Sequence, residues 1–585
     1  MLIYGDAKRF ERADAIGAAI ASELQALARQ PPGVDRHAAL VRILIRVGEL
    51  VQGLCDAEFD SVGADDFSAA QDCGGRLLLD LAQLVAHSWR QGFRGPLLVP
   101  SHVPTLLRSL KSPLPLCVKE AEGYAFYALY PESYIEAAAC SGLAADTVVI
   151  GIRSIGTSLS AAVAAAIGAR APVSVRPIGH PFQRRIGVGP GLTERILADR
   201  TANFAIVDEG PGLSGSSFGG VADWLEEHGV SEKRIHFFPG HGGALGPQAS
   251  DRHRKRWEAR PRHFVDLDDL VLRPSLPAHR LESWIRELVG PLVRPLEDLS
   301  GGAWRRMLPV EESGWPPADR RFERRKFLAH TADGPWLVKF AGLGETGPRK
   351  LAKARLLAEA DLAPPVVGLC HGFLVQKWIS AGRIEGAKFD RAKLIGHVGR
   401  YLAFRARHLP AAVKGASLSE LCAMAVFNTE AVLGAEAASR LKERISDAGH
   451  FDAVVMPVDT DNRLHRWEWL VDGHGILMKT DSIDHSAAHD LVGCQDIAWD
   501  IAGASIEFEL SAEERSDLRA AVSEGCARAV SRELQAILEI CYLAFQLGLW
   551  TSAKAASDEE EVPRLEATAT RYAQSLMRII DGQAE

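Results

Sequence analysis

The sequence predicts a multidomain protein of combined α/β and α+β class: a helical N-terminal cap, a parallel-sheet domain, and a C-terminal domain of hairpins followed by helices. Three observations predict it. The chain has 585 residues, more than one core organises, because single cores stop growing near roughly 250–300 residues. The apolar spacing changes twice, from helical to strand–helix alternation and then to hairpin-then-helix order. Hydrophobic residues make up 47% and charged residues 24% of the chain, an ordinary balance for a soluble globular protein.

Composition also excludes function classes. The net charge of −8 argues against duplex nucleic acid as a partner, which calls for a basic face. No apolar run reaches roughly eighteen residues, so no membrane span is expected. The N-terminal MLIYGDAKRF lacks the apolar core of a signal peptide. The nine cysteines are odd in number and scattered without a CxxC pair. They argue against a disulfide framework or a cysteine-spaced zinc site, and for a reducing, cytoplasmic location.

Each element follows from its pattern. Residues 1–94 read as the cap, because AIGAAIASELQALARQ, HAALVRILIRVGELVQGL and GGRLLLDLAQLVAHSW carry helical apolar spacing. PPG breaks the first two. From Gly95 the period shortens, and GPLLVPS, PLCVKEA and GYAFYALY are short apolar or alternating runs of strand type. DTVVIGI, an Ala-rich helix, APVSVRPIG, NFAIVDEG, a second helix and RIHFFPG follow. This alternation implies a parallel sheet covered on both faces, over residues 95–275. The charged RHRKRWEARPRHF closes it and is expected to be a solvated surface. Residues 276–303 read as a linker and residues 304–585 as the third unit. There RRKFLAHTADGPWLVKF is two strands around a DG turn, KLAKARLLAEADL is a helix and GFLVQKWI a strand. Long helices follow, broken by a loop-rich stretch from Met456 to Gly503, and DEEE near residue 560 reads as an interhelical linker.

One loop carries phosphate chemistry. The apolar strand Phe204 to Val207 delivers two adjacent carboxylates, Asp208 and Glu209, followed by a Gly, Pro and Ser loop and then a helix. Small residues let backbone N–H groups face a phosphate, and the helix N-terminus adds its positive end. Ser214, Ser216 and Ser217 add hydroxyl donors, while Asp208 and Glu209 suit vicinal ribose hydroxyls. A P-loop lysine is absent, so the pattern fits a sugar phosphate better than a nucleoside triphosphate. The segment resembles the 5-phosphoribosyl-1-pyrophosphate (PRPP) motif of type I phosphoribosyltransferases, and DTVVIGIRSIGTSLS resembles their pyrophosphate loop. The resemblance implies backbone contacts to pyrophosphate from Arg153, Ser154, Ile155, Gly156 and Thr157, with Arg153 also a cationic contact. It implies phosphate contacts from Gly212, Leu213, Ser214, Gly215, Ser216 and Ser217, and magnesium bridging ribose and pyrophosphate. Asp208 and Glu209 then serve catalysis at the ribose. His180, Arg184 and Arg185 fall where that family has a basic catalytic loop, a place an ordinary surface loop fits equally. The aromatic run EGYAFYALYPESY reads as core packing ahead of a wall for a flat acceptor.

The third unit carries a second pattern. Lys339 ends an apolar strand after a hairpin, where a lysine can meet ATP phosphates. LAPPVVGLCHGFLVQKWISAG and the later DTDNRLHRWEWLVDGHGILMKTDSIDH resemble aminoglycoside-phosphotransferase-like and choline-kinase-like enzymes. The resemblance implies a protein-kinase-like C-terminal domain using ATP and Mg2+. Asp481 is the leading metal ligand, with Asp484 second. Aligning LHRWEWL on that family's loop places Arg463 at the base position and Glu468 at that of a metal-binding Asn, so Asp461 is the substitute base. Gly493 through Ala502, with Asp496 and Asp500, match a later family segment. Glu345 and Glu359 are the alternatives for the glutamate that pairs with the lysine. His465, His474, His485 and His489 read as satisfied loop histidines.

The functional expectation is PRPP-dependent phosphoribosyl transfer to a small acceptor, coupled to an atypical small-molecule kinase. The alternatives are a PRPP sensor without turnover, and a small-molecule kinase whose first domain is structural. The expected partners are small molecules, with a homodimer implied by the transferase resemblance.

Overall fold

The computed structural model describes residues 7–379, 382–383, 390–411, 413–446, 448–472, 475–485 and 492–582. His474 and His489 lie outside the described residues.

The cap is built as its periodicity predicts, from helices Ala13–Leu27, Val34–Val62 and Ala69–Arg90. Ser68 caps the third by accepting from the Gln71 backbone N–H, which meets a donor the helix itself leaves unpaired. Helix Val34–Val62 is buried on several sides at once, with Leu40, Ile43, Leu44, Val47 and Leu50 all fully enclosed. Gly48 is required within it, because a Cβ there would lie 2.8 Å from the Cβ of Ser158. A strand absent from the sequence reading, Ala7–Glu11, pairs antiparallel with Leu116–Glu120.

The parallel sheet has the order Val173–Val175, Val148–Ile152, Phe204–Val207, Ile235–Phe238. Its register sets Ile150 beside Ile206 and Ile206 beside Phe237. Helices Gly156–Ile167 and Ser216–Glu227 follow its second and third strands. Two expected strands are absent. GPLLVPS is irregular and runs into the short helix Val103–Ser109. GYAFYALY forms the helical turn Glu122–Ala125 and leads into helix Pro131–Ala139, because Pro131 presets the first helical φ. The aromatic run packs as expected: the Tyr124 hydroxyl meets Ser158 Oγ, Tyr130 donates to the His371 carbonyl and Tyr134 to the Asp208 carbonyl. RHRKRWEARPRHF is only in part a solvated surface. It contains helix Asp251–Ala259, whose Trp257 is buried with its ring centroid 5.4 Å from that of Phe237.

Residues 276–303 correct the linker reading. Helix Leu281–Val289 buries Leu281, Trp284, Ile285 and Val289, and strand Glu297–Asp298 joins the next sheet. That sheet is antiparallel and five-stranded, ordered Val366–Cys370, Phe373–Lys377, Gly334–Phe340, Lys326–Thr331, Glu297–Asp298. Ala332 and Asp333 turn the predicted hairpin, one residue earlier than the Asp-Gly pair suggests, and Gly334 at φ +107 opens the second strand opposite Thr331. Helix Thr346–Glu359 follows it. Beyond lie a small sheet containing Trp469–Val471 and Leu477–Lys479, and helices Arg391–His408, Leu418–Leu433, Ile497–Glu507, Ala512–Gly525, Arg532–Ala555 and Val562–Ile580. Arg532–Ala555 is long and apolar enough to cross a membrane, yet it buries Leu538, Tyr542, Phe545 and Leu547 in the C-terminal core. The acidic DEEE stretch does connect helices, but its Glu561 is buried and accepts a two-pronged bond from Arg305 at 2.8 and 3.0 Å.

One hydrophobic core runs from the cap through Val149, Ala205, Val207 and Phe238 of the parallel sheet to Phe327, Val338, Phe340 and Phe373 of the antiparallel sheet. The units expected to be separate therefore share one interior. At its edge, Arg9 is divided among Glu11 (2.8 Å), Glu49 (2.8 Å) and Glu120 (3.1 Å). Burial pushes the Glu49 carboxyl up to about 7, and a third of one guanidinium does not restore it. A carboxyl raised in the folded state contributes stability below its unfolded value near 4.5 that is lost as pH rises through about 7. Denaturant midpoints of Glu49→Gln should therefore gain on wild type between those two pH values and run parallel to it above them.

Candidate functional site

A cleft of about 610 Å³ opens between the antiparallel sheet and the helical C-terminal part. Lys339 enters it from strand Gly334–Phe340, only 5% exposed. Its ammonium donates to both Asp481 and Asp484, which stand just beyond strand Leu477–Lys479. Burial opposes the charge on Lys339, but the two carboxylates outweigh it and raise its pKa above the ordinary lysine range. Burial likewise acts to raise both aspartates, and Lys339 holds each below the usual carboxylate range. The three residues read from sequence as nucleotide and metal contacts thus meet at one point. Asp481 is partly exposed to the cleft, and a carboxylate pair of this kind fits a hard divalent cation.

The expected lysine–glutamate pair is absent among the described residues. Glu345 lies 3.6 Å from Arg42, and Glu359 is exposed at the end of helix Thr346–Glu359. That helix instead turns Lys350 and Lys353 inward, one turn apart. Lys350 Nζ is 2.5 Å from Asp484 Oδ1 and Lys353 Nζ is 2.5 Å from Asp459 Oδ2. Burial draws the Lys350 ammonium down to about 8 against the pull of Asp484. Arg324 is also buried here, and both it and Lys350 lie over the ring of Phe126, at 4.4 and 5.2 Å. Phe126 comes from the aromatic run ahead of the parallel sheet, so that segment packs behind the cleft-lining Arg324.

Asp461 is placed more deeply than the base reading expects. It is 1% exposed and accepts from the Tyr401 hydroxyl, with Lys479 Nζ at 3.5 Å and Arg405 at 3.8 Å. Burial acts to raise it, and Lys479, His485 and Arg405 together hold it well below the usual range. His485 bridges outward from it, with Nδ1 3.3 Å from Asp461 Oδ1 and Nε2 3.8 Å from Asp481 Oδ2. His485 is therefore a site residue, which corrects its reading as a loop histidine. Glu468 is an ion-pair partner of Lys479 at 2.6 Å through Oε2. The oxygens of Asp461 and Glu468 and a ring nitrogen of His485 still lie within 4.8 Å of one another. Arg463 lines the same cleft, over the Phe322 ring at 5.6 Å. His465 is buried and stacks on Trp467 at 4.4 Å.

Asp500 organises the loop below. Its carboxylate accepts the backbone N–H of Asp461 at 2.7 Å and of Asn462 at 2.9 Å. Burial and the adjacent Asp461 charge push it up to about 7. Asp496 is the N-cap of helix Ile497–Glu507 and pairs with Arg528 at 2.9 Å; its role is to fix that helix.

In the parallel-sheet half, the acidic pair lies at the carboxyl end of its strand. Glu209 Oε2 accepts from the Gly123 backbone at 3.1 Å, and Asp208 Oδ1 from the Glu209 backbone at 2.8 Å. The following loop turns through Gly212 (φ +57) and Gly215 (φ +61) into the helix that begins at Ser216. Ser214 and Ser216 are buried and donate to the Pro181 carbonyl at 3.3 and 2.8 Å. The segment carrying His180, Arg184 and Arg185 is therefore folded over this loop. Arg184 donates to the Gly179 carbonyl at 3.0 Å, and Arg185 is exposed in strand Arg185–Ile186. Leu213 is exposed and Ser217 half-buried, while Ile155, Gly156 and Thr157 are buried where helix Gly156–Ile167 starts, beside Ser154. Arg153 requires a correction. Its guanidinium is buried against Asp56 at 2.8 Å and against Asp65, with the Ser174 carbonyl at 3.1 Å. Both aspartates come from the cap region, so Arg153 ties the cap to the sheet instead of facing a ligand.

No protein-family profile matches the chain, and no curated protein matches it. Solved structures are similar to about half of it. The choline kinase LicA from Streptococcus pneumoniae is 18% identical with a TM-score of 0.33, over 50% of this chain and 98% of that one. Spectinomycin phosphotransferase APH(9)-Ia, in complex with ADP and spectinomycin, is 11% identical with a TM-score of 0.34, over 50% and 93%. A choline/ethanolamine kinase family protein from Mesorhizobium loti is 13% identical with a TM-score of 0.28, over 49% and 94%. Likenesses this distant carry no assignment, and none of the three is a phosphoribosyltransferase. The chemistry rests on the residues themselves.

Replacing Asp500 with Ala strips two buried backbone donors of their acceptor, at about 1–3 kcal/mol each. Asp500→Ala should lower unfolding stability by about 2–6 kcal/mol, read by denaturant titration.

Proposed function

We propose that the cleft transfers the γ-phosphoryl group of ATP to a hydroxyl of a small molecule. The observation that carries this reading is the meeting of Lys339, Asp481 and Asp484 with the Asp461–His485 pair at one end of the cleft. In the ligand-free state Lys339 pairs with both aspartates and Lys350 with Asp484. With nucleotide present, the Lys339 ammonium exchanges to the phosphate oxygens, and Asp481 and Asp484 become available to hold Mg2+. The metal supplies neutralisation of phosphate charge.

The chain's own residues carry the remaining roles. Asp461, held ionised by Lys479 and Arg405, accepts from His485 Nδ1–H and thereby leaves Nε2 as the proton acceptor, the orientation logic of a base and its orienting carboxylate. The acceptor oxygen bonds to the γ-phosphorus, the bond from that phosphorus to the β–γ bridging oxygen breaks, and the acceptor proton passes to His485 Nε2. ADP leaves with the bridging electron pair. Trp304, Phe322, Trp467 and Trp550 line the cleft and suit an acceptor with an apolar or ring-shaped face. ADP release over a panel of small alcohols and sugars should be lost in Lys339→Met and Asp481→Asn. His485→Ala should lower kcat by about 10²–10⁴-fold. Release of ADP that survives Lys339→Met and Asp481→Asn would sink the reading.

A second reading concerns the parallel-sheet half. We infer that its acidic pair and glycine loop bind PRPP with Mg2+, a reading favoured by carboxylates at a strand's carboxyl end followed by a glycine loop that opens a helix. It is the site expected from sequence, without the Arg153 contact. Calorimetry should detect PRPP binding to wild type and not to the Asp208→Asn, Glu209→Gln double variant. Pyrophosphate release with an acceptor would mark a transferase, and binding without release a sensor.

A further inference from the structure

Apart from the residues of both sites, three ligand-type side chains converge in the shared core. His37 comes from the first turn of helix Val34–Val62, Glu132 from the first turn of helix Pro131–Ala139, and His371 from the turn joining strands Val366–Cys370 and Phe373–Lys377. They are 1%, 0% and 3% exposed. Glu132 Oε1 lies 2.7 Å from His37 Nε2 and 2.7 Å from His371 Nε2. His371 sits at φ +40, a backbone region a non-glycine residue adopts at a cost, and this conformation accompanies an imidazole directed inward.

We propose that His37, Glu132 and His371 form a buried structural site for a divalent transition-metal ion of the zinc class. Among the described residues no lysine or arginine pairs with Glu132, so its ionised carboxylate meets only two imidazoles. A buried charge without a full counter-charge is strongly disfavoured. Glu132 Oε2 is buried and has no hydrogen-bond partner. A divalent cation supplies the missing charge and uses the Nε2 lone pairs of both histidines. Glu132 supplies both oxygens, with Oε2 filling the fourth position. Metal–ligand bonds of about 2.0–2.2 Å need only a modest opening of the triad. His37 Nδ1 stands 3.0 Å from Ser88 Oγ, the outer-shell bond that fixes a metal-bound imidazole. Phe93, Tyr130 and Trp284 surround the imidazoles with ring centroids 4.8, 5.0 and 5.3 Å away, a dry shell suited to a closed structural site. A groove of about 420 Å³ reaches His371 beside Arg36 and Gly372 and provides an entry path. Glu132 is 95 residues from His37 and 239 from His371 in sequence, so no spacing motif announces them. Each comes from a different unit, and the ion joins the cap, the parallel-sheet half and the antiparallel sheet.

The test uses the full chain carrying His485→Ala, which removes the imidazole of the other three-ligand cluster among the described residues, with Mg2+ in excess to occupy carboxylate-only sites. After chelation and dialysis it is titrated with Co2+ and then Zn2+. We expect one Co2+ per chain with visible ligand-field absorption, displacement by Zn2+, and a raised thermal midpoint in both ions. Adding His371→Ala should abolish stoichiometric binding. If that variant does not fold, His371→Cys provides the second arm: a thiolate in the site adds a near-ultraviolet sulfur-to-cobalt band. Absence of stoichiometric Co2+ binding overturns the proposal, as does binding unchanged by His371→Ala or a His371→Cys protein lacking the sulfur band. Either result would leave a triad held by protons alone.

Discussion

The structure depends on the burial of helix Val34–Val62 from nearly every side. It packs on helices Ala13–Leu27, Ala69–Arg90 and Gly156–Ile167, and on strands Leu116–Glu120 and Val366–Cys370. A helix apolar around most of its circumference finds no stable place at a surface. It therefore draws the cap, the parallel sheet and the antiparallel sheet around one axis. The continuous core that results explains why residues 276–303 are packed and not a tether, and why the halves meet over buried aromatic side chains.

Charge balance shapes the cleft as strongly as apolar burial shapes the core. Asp461, Asp481 and Asp484 are answered by Lys339, Lys350, Lys479, Arg324 and Arg405, and several of these groups are almost wholly removed from water. Buried charges of this kind persist only when paired. The pairing is also what a phosphate ligand exchanges with, since an anion entering beside Lys339 competes with carboxylates that a divalent cation then neutralises. A site assembled this way is arranged in advance for the charge of its ligand, and preorganised charge is the main lever in phosphoryl transfer.

A single segment links the two candidate sites. The Gly123 backbone donates to Glu209, the Tyr124 carbonyl accepts from the Leu343 backbone at 2.9 Å, and Phe126 lies beneath Arg324 and Lys350. Residues 121–130 therefore touch the acidic pair on one side and the lysine cluster on the other. The aromatic run that reads as core packing is that, and it is also the physical contact between the two halves.

The sequence by itself determined what local rules decide. Helical spacing placed the cap helices, strand–helix alternation placed the parallel sheet, and an Asp-Gly turn between apolar runs placed the hairpin that presents Lys339. Glycine and serine after an acidic strand end marked the loop at Gly212 to Ser217, and Asp481 and Asp484 were legible as carboxylates closing an apolar strand. Only the tertiary structure decided which charges meet. Arg153 is turned from a ligand contact into a cap anchor by Asp56 and Asp65, and the expected glutamate partner of Lys339 is replaced by Asp481 and Asp484. Asp461 is withdrawn behind His485, and the His37, Glu132 and His371 side chains converge from three units. The reason is physical: backbone propensity and apolar periodicity act over a few residues, whereas the partner of a buried charge is selected by packing across hundreds.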